Sequence, residues 1–150
     1  MIGILIVAHG SLADSLVECA VHVLGKRPPG LATVDFIGHA DPDERKLVLQ
    51  ARLAELSALN TRDGDGVLVL ADVFGATPCN TLCRLIDAAP VAGVTGHIAG
   101  VTGVNLPILL KALNYRDTLA LPQLVERIVE GGRNSINPIT EAMCHAATGR

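Results

Sequence analysis

Aromatic residues are nearly absent from this chain. Only 2% of its 150 residues are aromatic, with no Trp, one Tyr and two Phe, whereas 49% are hydrophobic. Leu, Val, Ile and Ala must therefore fill the core, as is typical of sheets covered by helices. A chain of this length with that much apolar material is expected to form one globular domain.

Positive charge and long apolar runs are also lacking. The formal net charge is −3, which gives no electrostatic basis for binding nucleic acid. The N-terminal apolar run, residues 2–8, is far shorter than the ~20 residues that cross a bilayer, and it has no basic start or cleavage signature of a secretory signal. We therefore expect a cytoplasmic protein that is not embedded in a membrane.

Cysteines are too few and too scattered for a disulfide scaffold. The four are Cys19, Cys79, Cys83 and Cys144. Cys79 and Cys83 would lie one helical turn apart, but no second Cys or His pair completes a zinc pattern. We expect ordinary packed or surface thiols, and neither a metal nor a cofactor.

Strand and helix patterns alternate along the chain. Apolar runs predict strands at residues 2–8, 33–37, 67–71 and 97–102. Asp41-Pro42-Asp43-Glu44 and Thr77-Pro78 have the composition of helix starts. Apolar residues at helical spacing predict three helices, and they are Leu12, Leu16, Cys19 and Val23 in the first, Leu49, Leu53 and Leu56 in the second, and Leu82, Leu85 and Ile86 in the third. Two further short helices are predicted at residues 106–115 and 122–130.

This alternation predicts an α/β fold with an open, doubly wound, mostly parallel sheet and helices on both faces. The carboxyl ends of such strands share one edge, where ligands bind. Three loops distant in sequence should meet there. They are His9-Gly10-Ser11, residues 72–77, and Gly103-Val104-Asn105.

The first two loops contain the groups needed to hold a phosphoryl group on nitrogen. A neutral imidazole can attack phosphorus with one ring nitrogen if a carboxylate holds the other N–H, and His9 and Asp72 are the candidates. Ser11, Thr77 and the amides around Gly75 could bind the phosphoryl oxygens without a formal cation. Taken alone, His9 could equally bind a metal, and Asp72 could simply cap a turn.

The other histidines are less promising as site residues. His22, His39, His97 and His145 have no carboxylate or nucleophile motif beside them. We therefore expect each of them to be structural.

Three segments carry a resemblance to a known family. They are ILIVAHGSLA at residues 4–13, DVFGATPCN at 72–80 and TGVNLPIL at 102–109. In register, they resemble the signature segments of the EIIA component of the mannose family of the bacterial phosphoenolpyruvate-dependent sugar phosphotransferase system (PTS). The resemblance covers residues 1–135 and leaves residues 136–150 as a C-terminal tail.

The resemblance implies a phosphohistidine carrier. His9 would accept a phosphoryl group from the phosphocarrier HPr and pass it to an EIIB protein or domain, in sugar uptake or regulation. Asp72 would hydrogen-bond the imidazole. The residues implied near the phosphoryl group are Gly10, Ser11, Gly75, Ala76 and Thr77, with Phe36 close to the site. The family also implies a homodimer that exchanges a C-terminal edge strand, which would begin here at Gly131-Gly132-Arg133.

Small cobalt chelatases of the sirohydrochlorin type are the main alternative, because they also open with a strand that runs into Val-Ala-His-Gly-Ser. There the histidine is a metal ligand or a general base. In this hypothesis His97 would have to be the second metal ligand, and the segments at 72–80 and 102–109 have no role.

Three further classes fit the residues less well. Histidine-type phosphatases need an Arg immediately before the His-Gly pair, where this chain has Ala8. The phosphotransferase subunit of dihydroxyacetone kinase shares the fold and a strand-end histidine, but its first motif differs. A plain binding module would leave the pairing of His9 with Asp72 without a purpose. Because no Gly-x-x-x-x-Gly-Lys loop is present, ATP is not the expected donor.

Overall fold

In the part of the chain that the structure describes, four parallel strands form one sheet in the order β2-β1-β3-β4. The computed structural model describes residues 1–35, 41–75, 77–87, 91–140 and 144–145, without the side chains of residues 77–79. The strands are β1 (Gly3–Ala8), β2 (Leu31–Asp35), β3 (Gly66–Ala71) and β4 (His97–Thr102). The helices are α1 (Leu12–Leu24), α2 (Pro42–Ser57), α3 (Thr77–Asp87), α4 (Leu106–Tyr115) and α5 (Leu121–Asn134).

Helices cover both faces of this sheet, because successive strand residues point to opposite sides. Ile4 and Ile6 of β1 belong to a core that includes residues of α1, α4 and α5. Leu5 and Val7 belong to a second core that includes residues of α2 and α3. The doubly wound α/β prediction is confirmed.

The register brings the carboxyl ends of the strands to one edge. Ala8 at the end of β1 pairs with Asp35 at the end of β2, Val7 pairs with Ala71, and Ala71 pairs with Thr102 at the end of β4. The loops that follow β1, β3 and β4 therefore begin side by side.

The second helix starts as its sequence predicts. Asp41 is the N-cap residue, and its side chain accepts a hydrogen bond from the Asp43 N–H at 2.9 Å, with a proline at the start of the helix. The Leu49, Leu53 and Leu56 face of this helix is buried, as predicted.

Burial in α1 follows only part of the apolar pattern that predicted this helix. Leu12 and Val23 are large apolar residues but are 43% and 55% exposed. The buried residues are Ala13, Leu16, Val17 and Ala20. A shift of one residue rotates a helix face by about 100°. The small Ala side chains face the sheet because they let the helix pack closely against it.

The predicted bounds of β2 also shift. This strand is Leu31–Asp35, two residues earlier than expected, because Leu31 already pairs with Ile4 of β1. Phe36, predicted near the site, lies outside the described residues.

Gly131, Gly132 and Arg133 do not begin a strand, which corrects the expectation from the family resemblance. All three lie in α5, which runs to Asn134. A Cβ at Gly131 would lie 2.2 Å from Lys111 Cδ, and one at Gly132 would lie 2.4 Å from Ile108 Cγ1. The glycines therefore allow close contact between α4 and α5. Residues 136–140 that follow have no regular structure.

Among the residues described, the helices are too short or too polar to cross a membrane. Cys19, Cys83 and Cys144 are exposed thiols that form no disulfide, and the side chain of Cys79 lies outside the described residues. These three are surface thiols, one of the two outcomes expected for them.

Candidate functional site

His9 directly follows the buried strand β1 at the carboxyl edge of the sheet. Gly10 then takes a left-handed conformation, with φ of 57°, and Ser11 is the N-cap residue of α1. The Ser11 side chain makes no capping hydrogen bond to that helix. The imidazole therefore lies beside a helix N-terminus whose capping hydroxyl is not used by the helix.

Asp72 follows β3 and contacts the histidine directly. His9 Nδ1 lies 2.6 Å from Asp72 Oδ2, and the backbone N–H of His9 donates to the same oxygen at 2.9 Å. The N–H of Val73 donates to the other oxygen, Oδ1, at 2.7 Å. One carboxylate thus fixes both the ring and the backbone of His9.

This contact determines which ring nitrogen can react. An ionised carboxylate only accepts hydrogen bonds, so the proton of a neutral His9 ring must be on Nδ1. Nε2 then keeps its lone pair. The His9 side chain is 53% exposed, whereas that of Asp72 is 8% exposed, so the ring is open to solvent and its partner is not.

The electrostatics keep Asp72 ionised. Burial by itself would raise the pKa of its carboxyl group, but the hydrogen bonds from the His9 ring and from the N–H groups of His9 and Val73 outweigh that effect. The pKa of Asp72 is therefore below its usual value.

The loop after β4 holds the backbone of this acidic residue. The Gly103 N–H donates to the Asp72 carbonyl oxygen at 3.0 Å, and the Val104 N–H donates to that of Ala71, also at 3.0 Å. Asn105 then caps α4 by accepting from the Ile108 N–H at 2.9 Å. The sequence predicted that this loop lies near the site, but not that it supports Asp72.

The loop from Asp72 to Gly75 lies at the surface beside the ring. Val73 and Phe74 are exposed, and Gly75 has φ of 81°. A Cβ built on Gly75 would meet no atom of the described residues within 4 Å. The glycine is required here by its backbone conformation and not by close packing against those residues.

A second side-chain contact ties this loop to α3. The Nδ2 group of Asn80 donates to the carbonyl oxygen of Gly75 at 3.0 Å. Sequence reasoning missed this contact, although an asparagine just inside a helix start is a signal that its side chain bonds to nearby backbone.

The first turn of α1 is also tied to the sheet. The hydroxyl of Thr33 on β2 donates to the Asp14 carboxylate at 2.7 Å. This contact orients the helix that begins just after His9. The sequence indicated no role for either residue.

The predicted site residues therefore divide into two groups. The structure places His9, Gly10, Ser11, Asp72 and Gly75 at one edge of the sheet. Ala76 lies outside the described residues, as does Phe36. Thr77 is the first residue of α3, but its side chain is not described. No Lys or Arg occurs in residues 9–15, 72–80 or 103–107, so within these loops an anion could be bound only by N–H groups and hydroxyls.

The two histidines required by the chelatase hypothesis lie at opposite ends of the sheet. His9 follows the carboxyl end of β1, whereas His97 begins β4 at the amino end and pairs with Gly66. About six strand residues separate these ends, which corresponds to roughly 20 Å. They cannot share a metal ion, and this alternative is wrong for the two residues on which it depended.

The sequence matches the family EIIA-man, described as "PTS system fructose IIA component", over residues 3–129. It is 30% identical over 140 residues to the PTS system mannose-specific EIIAB component of Escherichia coli strain K12, which covers 92% of this chain and 39% of that protein. It is 29% identical over 141 residues to the PTS system fructose-specific EIIA component of Bacillus subtilis strain 168. This match covers 94% of this chain and 88% of that protein. The chain thus spans less than half the length of the Escherichia coli relative.

Solved structures of similar proteins have the same fold. The phosphotransferase system component EIIA from Streptococcus agalactiae superimposes with a TM-score of 0.76 at 24% identity, over 92% of this chain and 97% of that one. The mannose/sorbose specific IIA subunit from Enterococcus faecalis gives 0.73 at 21% identity, over 93% and 95%.

Proposed function

This chain belongs to the EIIA-man family, PTS system fructose IIA component, and from that premise we propose that it is a phosphohistidine carrier. HPr donates a phosphoryl group to His9, and an EIIB protein or domain receives it, in sugar uptake or in regulation. The observation that carries this proposal is the 2.6 Å contact between His9 Nδ1 and Asp72 Oδ2. Such a carrier would work in the cytoplasm, where we place it.

In the proposed transfer, Nε2 of His9 is the nucleophile. Its lone pair forms the new bond to phosphorus as the bond between phosphorus and the donor's imidazole nitrogen breaks. The donor ring leaves with the electron pair of the broken bond. His9 keeps its proton on Nδ1, and the positive charge that its ring gains is stabilised by the Asp72 carboxylate.

Backbone groups at this edge are proposed to bind the phosphoryl oxygens. Gly10 and Ser11 lie at the start of α1, and we assign the same role to Gly75, Ala76 and Thr77 before and at the start of α3. The N-terminus of a helix favours an anion through its free N–H groups and its dipole. Since these loops contain no Lys or Arg of their own, their N–H groups and hydroxyls are the groups that we propose bind the phosphoryl oxygens.

We also propose that the protein is a homodimer that exchanges a C-terminal segment. The support is that β4 is an edge strand of the sheet and that a groove of about 380 Å³ runs beside it, lined in part by Gly100, Val101, Val129 and Ile136. Ile136 and Ile139, which follow α5, are exposed. The exchanged part would therefore begin after α5, and light scattering of the purified protein tests the dimer.

The proposed function is tested by incubating the protein with phosphoenolpyruvate, enzyme I and HPr and then measuring its intact mass. We expect one acid-labile phosphoryl group on the wild type and none on His9→Ala. His22→Ala is the matched control, because this histidine is also exposed but lies in the last turn of α1. An unmodified wild type, or a His9→Ala protein that is still modified, would overturn the proposal.

A further inference from the structure

Asn80 is an exposed residue in the first turn of α3, and it bonds backward to the loop before that helix. Its Nδ2 group donates to the Gly75 carbonyl oxygen at 3.0 Å. Asparagine is a poor residue inside a helix because its amide competes for backbone groups. Here that amide holds a loop carbonyl, so the side chain has a use outside its own helix.

The loop needs such a restraint at its far end. At its near end, Asp72 is held by donors from His9, Val73 and Gly103. At its far end, Gly75 has a positive φ and is not closely packed against the described residues, and glycine has more conformational freedom to lose than any other residue. The Asn80 amide supplies a side-chain restraint there by donating to the Gly75 carbonyl.

The direction of that carbonyl matters for an anion. A carbonyl oxygen is the negative end of the peptide dipole, and turned toward a phosphoryl group it would repel the phosphoryl oxygens. The Asn80 contact keeps the Gly75 oxygen directed toward α3. Well-oriented groups accelerate transfer because they need no rearrangement when the charge develops.

We propose that Asn80 is a positioning residue for phosphoryl transfer at His9, acting through the Gly75 carbonyl; this rests on the proposed function. Among the described residues, Asn80 bonds to Gly75, whereas the His9 ring bonds to Asp72. Its loss should therefore slow the transfer step and leave donor binding and overall stability nearly unchanged.

The test compares Asn80→Ala and Asn80→Asp with Asn114→Ala. Asn80→Asp keeps the shape but replaces the donor with an acceptor that repels the Gly75 oxygen. Asn114 is the matched control, because it is an exposed helical asparagine near the end of α4. HPr-dependent phosphorylation is measured as kcat and KM, and amide hydrogen exchange is measured across residues 72–75.

We expect kcat to fall about 10-fold in Asn80→Ala and further in Asn80→Asp, with KM within about twofold of wild type, since a misplaced group lowers the rate of the reacting step. Exchange across residues 72–75 should quicken in both variants, and Asn114→Ala should match wild type throughout.

Two results would overturn the inference, and both differ from a failure of the proposed function. Unchanged hydrogen exchange across residues 72–75 in Asn80→Ala would show that Asn80 does not restrain this loop. That result would count against the inference whether or not the wild type accepts a phosphoryl group. Faster exchange with an unchanged kcat would show that the contact between Asn80 and Gly75 orders the loop but has no effect on phosphoryl transfer. A wild type that is never phosphorylated would instead refute the carrier role.

Discussion

Two buried aspartates bracket the strand β3, and they make opposite use of similar hydrogen bonding. Asp65 comes just before the strand and Asp72 just after it, and their side chains are only 1% and 8% exposed. In both, hydrogen bonds lower the pKa against the effect of burial. They differ in the group that donates.

Asp65 is saturated by donors that do not react. Its carboxylate accepts from the Arg62 guanidinium at 2.8 Å, from the N–H groups of Thr61 and Arg62 at 3.0 and 3.1 Å, and from the amino group of Met1. Arg62 in turn donates to the carbonyl oxygens of Arg116 and Asp117. This end of β3 is a fixed polar cluster that ties several loops together.

Asp72, by contrast, accepts a hydrogen bond from the half-exposed imidazole of His9. A guanidinium stays protonated at any accessible pH, whereas an imidazole has a second nitrogen that can form a bond. The same kind of buried carboxylate thus supports the fold at one end of the strand and orients a nucleophile at the other.

The largest expected effect comes from removing the charge of Asp72, the aspartate that contacts the nucleophile. Asp72→Asn keeps the shape but removes the negative charge that holds the Nδ1 proton and stabilises the charged ring. We expect phosphorylation of His9 to slow by roughly 10²–10⁴-fold, by analogy with carboxylates that orient other catalytic imidazoles. Single-turnover transfer from phosphorylated HPr measures this rate.

Asp65→Asn makes the same change at the other end of β3, where we expect it to lower stability and leave transfer unchanged. The amide cannot satisfy the Arg62 guanidinium and the N–H groups that now share its oxygens, so the variant should lose roughly 2 kcal/mol of stability, as when buried donors lose their acceptor. Its folded form should transfer at the wild-type rate. If Asp65→Asn slowed transfer as much as Asp72→Asn, the division between the two ends would be wrong.

Two glycines, Gly66 beside Asp65 and Gly75 beyond Asp72, should show the same division between fold and function. Their substitution should have a smaller effect on transfer than that of Asp72. A Cβ on Gly66 would lie 2.3 Å from the His97 carbonyl oxygen and 2.7 Å from Leu121 Cδ2, whereas one on Gly75 would meet no atom of the described residues within 4 Å. Gly66→Ala should therefore cost about 3 kcal/mol from overpacking. Gly75→Ala should cost about 1–2 kcal/mol, from its positive φ alone.

Urea unfolding measures both costs, and transfer kinetics provide the contrast. Gly75→Ala should slow phosphorylation more than its stability loss explains, because the loop beside His9 must change its backbone. A Gly75→Ala protein that is less stable than Gly66→Ala would contradict the packing described for both positions.

The sequence could predict the site because apolar periodicity locates strand ends. His9 and Asp72 each follow a continuous apolar run, and parallel strands bring such ends together. The contacts of Asn80 with Gly75 and of Gly103 with Asp72 depend on loop conformations that no periodicity encodes. Nothing local distinguishes Asp65 from its neighbour Asp63, since only the fold decides which carboxylate meets Arg62.

Helix packing was the other limit of prediction. The stripe that begins at Leu12 and ends at Val23 has helical spacing, but burial in α1 follows Ala13 and Ala20, whose small size permits close approach. Likewise Gly131 and Gly132 suggest a break in the helix by propensity, yet they persist in α5 because Ile108 and Lys111 occupy the space of their missing side chains.

The smallest expected effect is a difference in acid sensitivity. Both carboxyl groups have a folded pKa below the ordinary value near 3.8. Each therefore contributes stability that is fully present above that value and is lost as the pH falls toward the folded pKa. The pKa of Asp65 lies well below the usual range, and the pKa of Asp72 is lowered by its histidine and amide donors.

Urea unfolding between pH 6 and about 2.5 should therefore show a constant contribution from these groups above about pH 5 and a loss below about pH 4. Asp65→Asn should flatten that loss more than Asp72→Asn, because more donors hold the Asp65 carboxylate and its pKa lies further below that of the unfolded chain. If the two variants flattened it equally, the His9 pair would contribute as much to folding as the Asp65 cluster. The carboxylate beside the nucleophile would then be a structural ion pair as well as an orienting group.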